Sequence, residues 1–186
     1  MRSVVALVPA IDPVSVHGMP LIERAVRNLL SAGCVRHVFL CTPSGGLTAP
    51  SDTTVVVGDV RAGLRAAIEA FPDVRFALLH DVTRAATPPQ VISAVVAELE
   101  RGAKAVIPVL PLTDTVKHVD QNGWILGTRD RSGLRVMQSP LGAPVDVLLA
   151  AERHVPASLG VPLSTVPGHP NGLRIRTAFD VASVTL

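Results

Sequence analysis

Aromatic residues are nearly missing from this chain: phenylalanine and tryptophan make up 3% of its 186 residues and tyrosine is absent. That argues against a stacking platform for single-stranded nucleic acid. Basic residues are scattered, net charge is only +2, and no basic run occurs. Neither a nucleic-acid surface nor an anionic-membrane patch is indicated. No uninterrupted apolar stretch reaches membrane-spanning length. The opening MRSVVALVPAIDP carries one positive charge and a brief apolar run, but a strand-then-helix pattern follows, so it reads as the first core strand and not as a secretory signal. Cysteine is limited to Cys34 and Cys41, without metal-site spacing. Inert thiols in a reduced, cytoplasmic protein are the expectation. A Walker loop, a nucleophile elbow and a Ser/His/Asp arrangement are also lacking.

What is there is aliphatic: 48% of residues are hydrophobic against 17% charged, rich in alanine, valine and leucine. This is a globular composition, long enough for one domain over residues 1–186. Short aliphatic runs alternate with helical patterns. Ser3 to Pro9, His37 to Thr42, TTVVVG, VRFALLHD and KAVIPVLP read as strands. PLIERAVRNLLSAG, DVRAGLRAAIEAF and TPPQVISAVVAELERGA read as helices, the second with Asp59 as N-cap and the third with prolines in its first turn. Pro43 to Asp52 is a loop by its breakers. The expected architecture is an α/β, Rossmann-like, mostly parallel twisted sheet flanked by helices. The pattern then changes: DTVKHVDQNGWILGT alternates on either side of Asn122-Gly123, the strongest short-range hairpin signal. Such a hairpin is marginal alone and should pack on something, a second subunit being one candidate. LRVMQSP, PLSTVPG and LRIRT follow as strands or extended segments, and APVDVLLAAERHV and AFDVASV as helices.

In open α/β sheets, ligands sit beyond the carboxyl ends of the strands. Those ends here are Pro9 to Asp12, Gly58 to Arg61 and His80 to Arg84, with Thr113 to Lys117 and Arg129 to Arg131 added later in the chain. Asp81 is the most informative residue, because a carboxylate at a strand end can bind Mg²⁺ that bridges nucleotide phosphates, although it can equally cap a turn. Arg84, Arg131 and Arg174 could each clamp a phosphate with a fork of donors, or stand solvated at the surface. His80 could orient Asp81 or be a satisfied core histidine. The remaining histidines lack ligand spacing, and none is assigned to a metal.

Taken together, several segments go further. The run from LLHDVTRAATPPQ through PVLPLTDTVK and DRSGL to QSPLG, flanked by LVPA, PLIERAVRNLLSAG, VRAGLRAAI and VPGHPNGLRIRTAFDVA, closely resembles the 2-C-methyl-D-erythritol 4-phosphate cytidylyltransferases of the non-mevalonate isoprenoid pathway. The resemblance covers nearly the whole chain in order. It implies a nucleotidyltransferase fold with a projecting β-arm, here about residues 112–130, assembled as a homodimer. It implies Mg²⁺, CTP and a methylerythritol phosphate substrate. By position, Asp81 matches the metal carboxylate. Arg131 and Arg174 fall at catalytic positions, Arg174 where the family has a lysine. Arg84, Thr115 and Ser139 fall at substrate-binding positions, Ser139 where the family has a threonine. Gly58 and Asp59 fall at the nucleotide position, Asp59 where the family has a serine.

The family's glycine-rich loop and following lysine, which cradle the triphosphate, have no counterpart. VPA runs to HGMPLIERA through only IDPVSV, which puts the negative Asp12 and the donorless Pro13 there. A TDDA segment near residues 152–168 is missing as well. The expectation is a family homologue with little or no CTP turnover. The alternatives are an active Mg²⁺-dependent nucleotidyltransferase on another sugar or polyol phosphate, with a remodelled loop, and an interaction protein built on the dimeric arm.

Overall fold

Val4–Pro9 (β1) shows where the sheet must lie. Val4 to Val8 are all buried, so both faces of the strand are covered, as a central parallel strand requires. Its side chains alternate: Val4, Ala6 and Val8 join one apolar cluster, Val5 and Leu7 another. The computed structural model describes residues 3–10, 15–44, 46–48 and 50–184. After β1 come Ser15–Val16 (β2), Met19–Pro20 (β3), Leu21–Ser31 (α1), His37–Thr42 (β4), Thr53–Val57 (β5), Val60–Ala70 (α2), Phe76–Leu79 (β6) and Pro89–Glu100 (α3). The second half holds Val106–Pro111 (β7), Val116–Val119 (β8), Ile125–Arg129 (β9), Arg135–Met137 (β10), Leu141–Pro144 (β11), Val145–Ala150 (α4), Ser164–Pro167 (β12) and Ala178–Ser183 (α5).

The main sheet runs β5–β4–β1–β6–β11–β7, with β10 and β12 also paired to β7. β5, β4, β1 and β6 are parallel neighbours, whereas β11 runs antiparallel to both β6 and β7. The apolar cluster on one face takes its helical residues from α1 and α3 and that on the other from α2 and α4. Two glycines set the close approach of helix to sheet. A Cβ at Gly63 of α2 would lie 2.4 Å from Cys41 Sγ and 2.6 Å from Leu7 Cδ2. One at Gly142 of β11 would lie 2.7 Å from Val95 Cγ1 of α3.

Most expected elements form, including the Asp59 cap, whose carboxylate accepts the Ala62 amide at 3.0 Å. Two differ. The helix expected over 143–155 covers only Val145–Ala150, because Leu141–Pro144 is drawn into the sheet as β11. A purely aliphatic run does not separate a buried strand from a helix, and the slot between β6 and β7 decides. The LRIRT segment takes the extended form, one of the two expected for it, outside the sheet. Its buried Ile175 makes one backbone bond, amide to Thr83 carbonyl at 2.7 Å. The hairpin at Asn122-Gly123 reverses through residues 120–124 and not through a two-residue turn. Asp120 Oδ1 captures the Asn122 and Trp124 amides, each at 2.9 Å, and widens the loop.

β8 and β9 form a separate two-stranded ladder. β9 is exposed along its whole length, as is most of β8, and Trp124, Ile125 and Leu126 are 73%, 66% and 61% accessible. The connection from β1 to α1 is equally distinctive. β2 and β3 close a hairpin at His17-Gly18, whose φ angles of 46° and 78° fit a tight two-residue turn. Val16 and Met19 are buried beside α1 in its core cluster. The segment 11–14, with Asp12 and Pro13, lies outside the described residues.

Candidate functional site

β6 delivers the site. The chain leaving it carries His80 and Asp81 to the carboxyl edge of the sheet, beside the end of β1. The His80 amide is held by Leu7 carbonyl at 2.9 Å. The Asp81 amide donates to Ser139 Oγ at 2.9 Å, and that hydroxyl also meets His80 Nδ1 at 3.1 Å. Ser139 and His80 are both buried. Burial drives the His80 imidazole down to about 4, so it is neutral near pH 7; Asp81 pulls the other way, and Arg84 adds to the lowering.

Asp81 caps the short helical turn Val82–Arg84. Its Oδ1 accepts the Thr83 amide at 3.0 Å and the Thr83 hydroxyl at 2.6 Å. Its Oδ2 accepts Arg174 Nε at 3.0 Å, with Arg84 Nε 3.9 Å away. Burial raises the Asp81 carboxyl, but the Thr83 bonds and the two guanidiniums outweigh it and hold the group below the usual carboxylate range.

Arg84 is buried and committed to backbone. Nη1 donates to the Gly172 carbonyl and Nη2 to the Met137 carbonyl at 3.0 Å. It therefore ties the Val82–Arg84 turn to β10 and to the 170–172 segment. Gln138 does similar work: its Oε1 accepts the His169 amide at 2.9 Å and its Nε2 donates to the His169 carbonyl at 2.8 Å. A Cβ at Gly168 would fall 2.2 Å from that Oε1, so only glycine admits the contact. These bonds, with Ile175 anchored in the core, aim the half-exposed Arg174 at Asp81.

Asp81, Arg84, Ser139 and Arg174 line one cleft of about 850 Å³, together with Pro9, Val60 and His154. Four of the expected site residues thus come together. The others do not. Gly58, with φ of 138°, and Asp59 sit at the start of α2 outside the lining. Thr115 and Arg131 are exposed on the arm, where the Arg131 guanidinium donates to Thr113 carbonyl. Sequence reasoning missed Thr83 and Gln138. Thr83 was accessible to it, since Asp followed two residues later by Thr is the pattern of a side-chain-capped turn. Gln138 was not, because its partner lies 31 residues away.

The donor set can be tested against a divalent cation. Among the described residues, Asp81 is the one carboxylate in the cleft lining, and both its oxygens are taken by Thr83 and Arg174. No cluster of three or more His, Cys, Asp or Glu side chains that could hold a metal exists among the described residues. Magnesium demands near-octahedral oxygen ligation. Asp81 alone could hold it only together with waters and substrate phosphate oxygens, and as arranged a cation would first have to displace Arg174 from Oδ2. Among the described residues no helix is long and apolar enough to cross a membrane.

Comparisons with known proteins bear on this cleft. The family model described as 2-C-methyl-D-erythritol 4-phosphate cytidylyltransferase matches residues 13–185. The 2-C-methyl-D-erythritol 4-phosphate cytidylyltransferase of Saccharopolyspora erythraea is 41% identical over 216 residues, covering 97% of this chain and 96% of that protein. The one from Nocardia farcinica is 41% identical over 213 residues, with 96% and 91% covered. A crystal structure of 4-diphosphocytidyl-2C-methyl-D-erythritol synthase superposes with a TM-score of 0.82 at 23% identity, covering 98% of this chain and 96% of that one. The Thermus thermophilus 2-C-methyl-D-erythritol 4-phosphate cytidylyltransferase superposes with a TM-score of 0.75 at 23% identity, covering 96% and 95%.

Proposed function

Because this chain belongs to the 2-C-methyl-D-erythritol 4-phosphate cytidylyltransferase family, we propose that its Asp81 cleft receives a phosphate-bearing substrate of that chemistry while CTP turnover is impaired. The observation that carries the proposal is the connection from β1 to α1. Between Pro9 and Leu21 the chain spends Ser15–Pro20 on a closed hairpin, leaving only Ala10 to Val14 to supply a phosphate loop. Those five residues, AIDPV, contain no glycine and no basic residue. The hairpin also leads straight into α1, whose first turn carries Glu23, so the positive end of that helix already has a negative side chain beside it. An alignment of 216 positions against a chain of 186 leaves at least 30 positions of the Saccharopolyspora protein without a counterpart, in keeping with lost loops.

Phosphoryl-type transfer relies on positioning and on stabilising the leaving pyrophosphate. Loss of a single preorganised donor costs on the order of a hundred-fold in rate, and here the glycines and the basic residues that would build such a cradle are missing from the sequence. The test is turnover of CTP with methylerythritol phosphate and Mg²⁺. The expected rate lies at least ~100-fold below the roughly 1–1,000 s⁻¹ of ordinary enzymes; a rate within that range refutes the reading. The retained Arg174 and Asp81 favour one second reading, a working nucleotidyltransferase on another sugar or polyol phosphate. A thermal-shift screen of nucleoside triphosphates with Mg²⁺ tests it, because binding to the native state must raise Tm by mass action.

Arg174 is the cleft's phosphate-facing group in this proposal. Arg84 acts as a positioning residue, holding the turn that presents Asp81. Ser139 does the same through the Asp81 amide. Gly58 and Asp59 would meet the nucleotide base only at the cleft rim, and Thr115 and Arg131 would reach a site only from the arm. A second copy is the natural cover for that arm, whose exposed Trp124, Ile125 and Leu126 are left uncovered by the described residues of their own subunit. Cys41, buried with its thiol pushed up to about 11 by burial and then by Asp59, suits a reducing cytoplasm.

A further inference from the structure

We propose that Arg174 has taken over the role of a metal in this cleft: a phosphate or diphosphate group binds to its guanidinium without any divalent cation, and Asp81 serves as its internal counter-ion. The inference rests on the reading of the cleft as the phosphate-receiving site.

The geometry carries it. Arg174 bonds Asp81 Oδ2 through Nε alone, at 3.0 Å. Its two Nη groups have no acceptor among the described residues, and its side chain is 50% exposed toward the cleft mouth. An edge of two parallel N–H donors is the face that grips a phosphate bidentately. Arg174 is also held in place from behind, by the buried Ile175 and by the Gln138 and Arg84 bonds to residues 169 and 172.

Charge completes the case. One carboxylate, Asp81, faces Arg84 and Arg174, and Arg176 stands near enough to act on Arg84. Burial and then Arg174 and Arg176 lower the Arg84 pKa, while Asp81 opposes them. Positive charge is therefore in excess before any ligand arrives. An anion relieves that excess. A dication bound at Asp81 would increase it, and would first have to displace Arg174 from Oδ2. Asp81 is meanwhile kept ionised and oriented by Thr83, so it steers Arg174 without competing for ligand.

The two roles for Asp81 predict opposite signs. If it is a counter-ion, removing its charge strengthens anion binding. If it is a metal ligand, removing its charge destroys binding. The experiment is calorimetric titration of the whole protein with inorganic pyrophosphate, in EDTA and in excess Mg²⁺, for the native chain, Asp81→Asn and Arg174→Gln. Asn keeps the Oδ1 acceptor for Thr83, so the turn survives. The expected results are binding in EDTA by the native protein, affinity about tenfold tighter in Asp81→Asn, and about tenfold or more weaker in Arg174→Gln. Unfolding of each variant by urea checks that the fold is intact. Binding that requires Mg²⁺, or that Asp81→Asn abolishes, overturns the proposal, as does no pyrophosphate binding under any condition. None of these outcomes depends on CTP turnover, so normal cytidylyl transfer would sink the functional reading above and leave this result to stand or fall on its own.

Discussion

Lowering the pH from 7.5 to 4.5 should cost this protein about 2–3 kcal/mol of stability through His80 alone. The imidazole is 1% exposed, lies against Ser139 Oγ, and titrates in the folded state near 4 in place of 6.5. Between those values the unfolded chain binds a proton that the folded protein refuses. Stability therefore rises with pH through that window, and its His80 share is complete above about 6.5. At pH 4.5 the unfolded imidazole has gained nearly two pH units of protonation, at about 1.4 kcal/mol each. His37 acts with the same sign through partial burial, against the opposing pull of Asp52. The lowered carboxyls of Asp59, Asp81, Asp130 and Asp180 act with the same sign in a lower window, their stability being lost as pH falls from the usual carboxylate range toward their folded values. Urea unfolding at the two pH values should show the loss as a midpoint shift of roughly 1 M, and His80→Gln should show a shift smaller by the His80 share. The imidazole NMR signal of the native protein provides an independent reading. A His80 titration near 6.5, or parallel pH losses in the native protein and His80→Gln, would refute the argument.

Gly63→Ala gains about 1 kcal/mol of helix propensity but drives a methyl into Cys41 and Leu7, which costs roughly 1–3 kcal/mol more than an open site would. The net expectation is a Tm lower by several degrees in calorimetry, and a higher Tm would contradict the close packing of α2. Arg84→Lys keeps the charge but cannot reach both the Gly172 and Met137 carbonyls; urea denaturation should find about 1–3 kcal/mol lost, and no loss would mean that the tether is idle. Trp124→Glu on the arm should halve the mass seen by light scattering with the thermal stability of the body unchanged, because among the described elements β8 and β9 pack chiefly on each other; a native protein that is already a strict monomer would remove the basis for a covering second copy.

Much of the fold is legible from periodicity because each strand and helix here answers to local physics. Val4 to Val8 are apolar on both faces, short and rich in β-branched valine, and so read as a buried central strand. The 3.6-residue spacing of Leu21, Ala25 and Leu29 needs one covered face, and Asp59 caps the helix that it precedes. Where local preference was balanced, tertiary context decided. Leu141–Pro144 is as aliphatic as the helix after it, and the open slot between β6 and β7, with Gly142 clearing Val95 and Leu99, made it a strand. LRIRT has strand composition but found a single backbone partner.

The site divides along the same line. The sequence by itself determined that Asp81 would stand at a strand end, that Arg84 and Arg174 would be cations without an assigned partner, and that the β1–α1 connection would lack a glycine-rich loop and a lysine. Those are statements about composition and order along the chain. Only the tertiary structure decided that Arg84 is consumed by two carbonyls, that Arg174 crosses 93 residues to take Asp81 Oδ2, and that Thr115 and Arg131 stay out on the arm. The reason is that hydrogen bonds and charge pairs are short-ranged. Which cation neutralises a carboxylate depends on a few ångströms that the sheet order and the Gln138–His169 clasp impose, and these have no signature in sequence spacing.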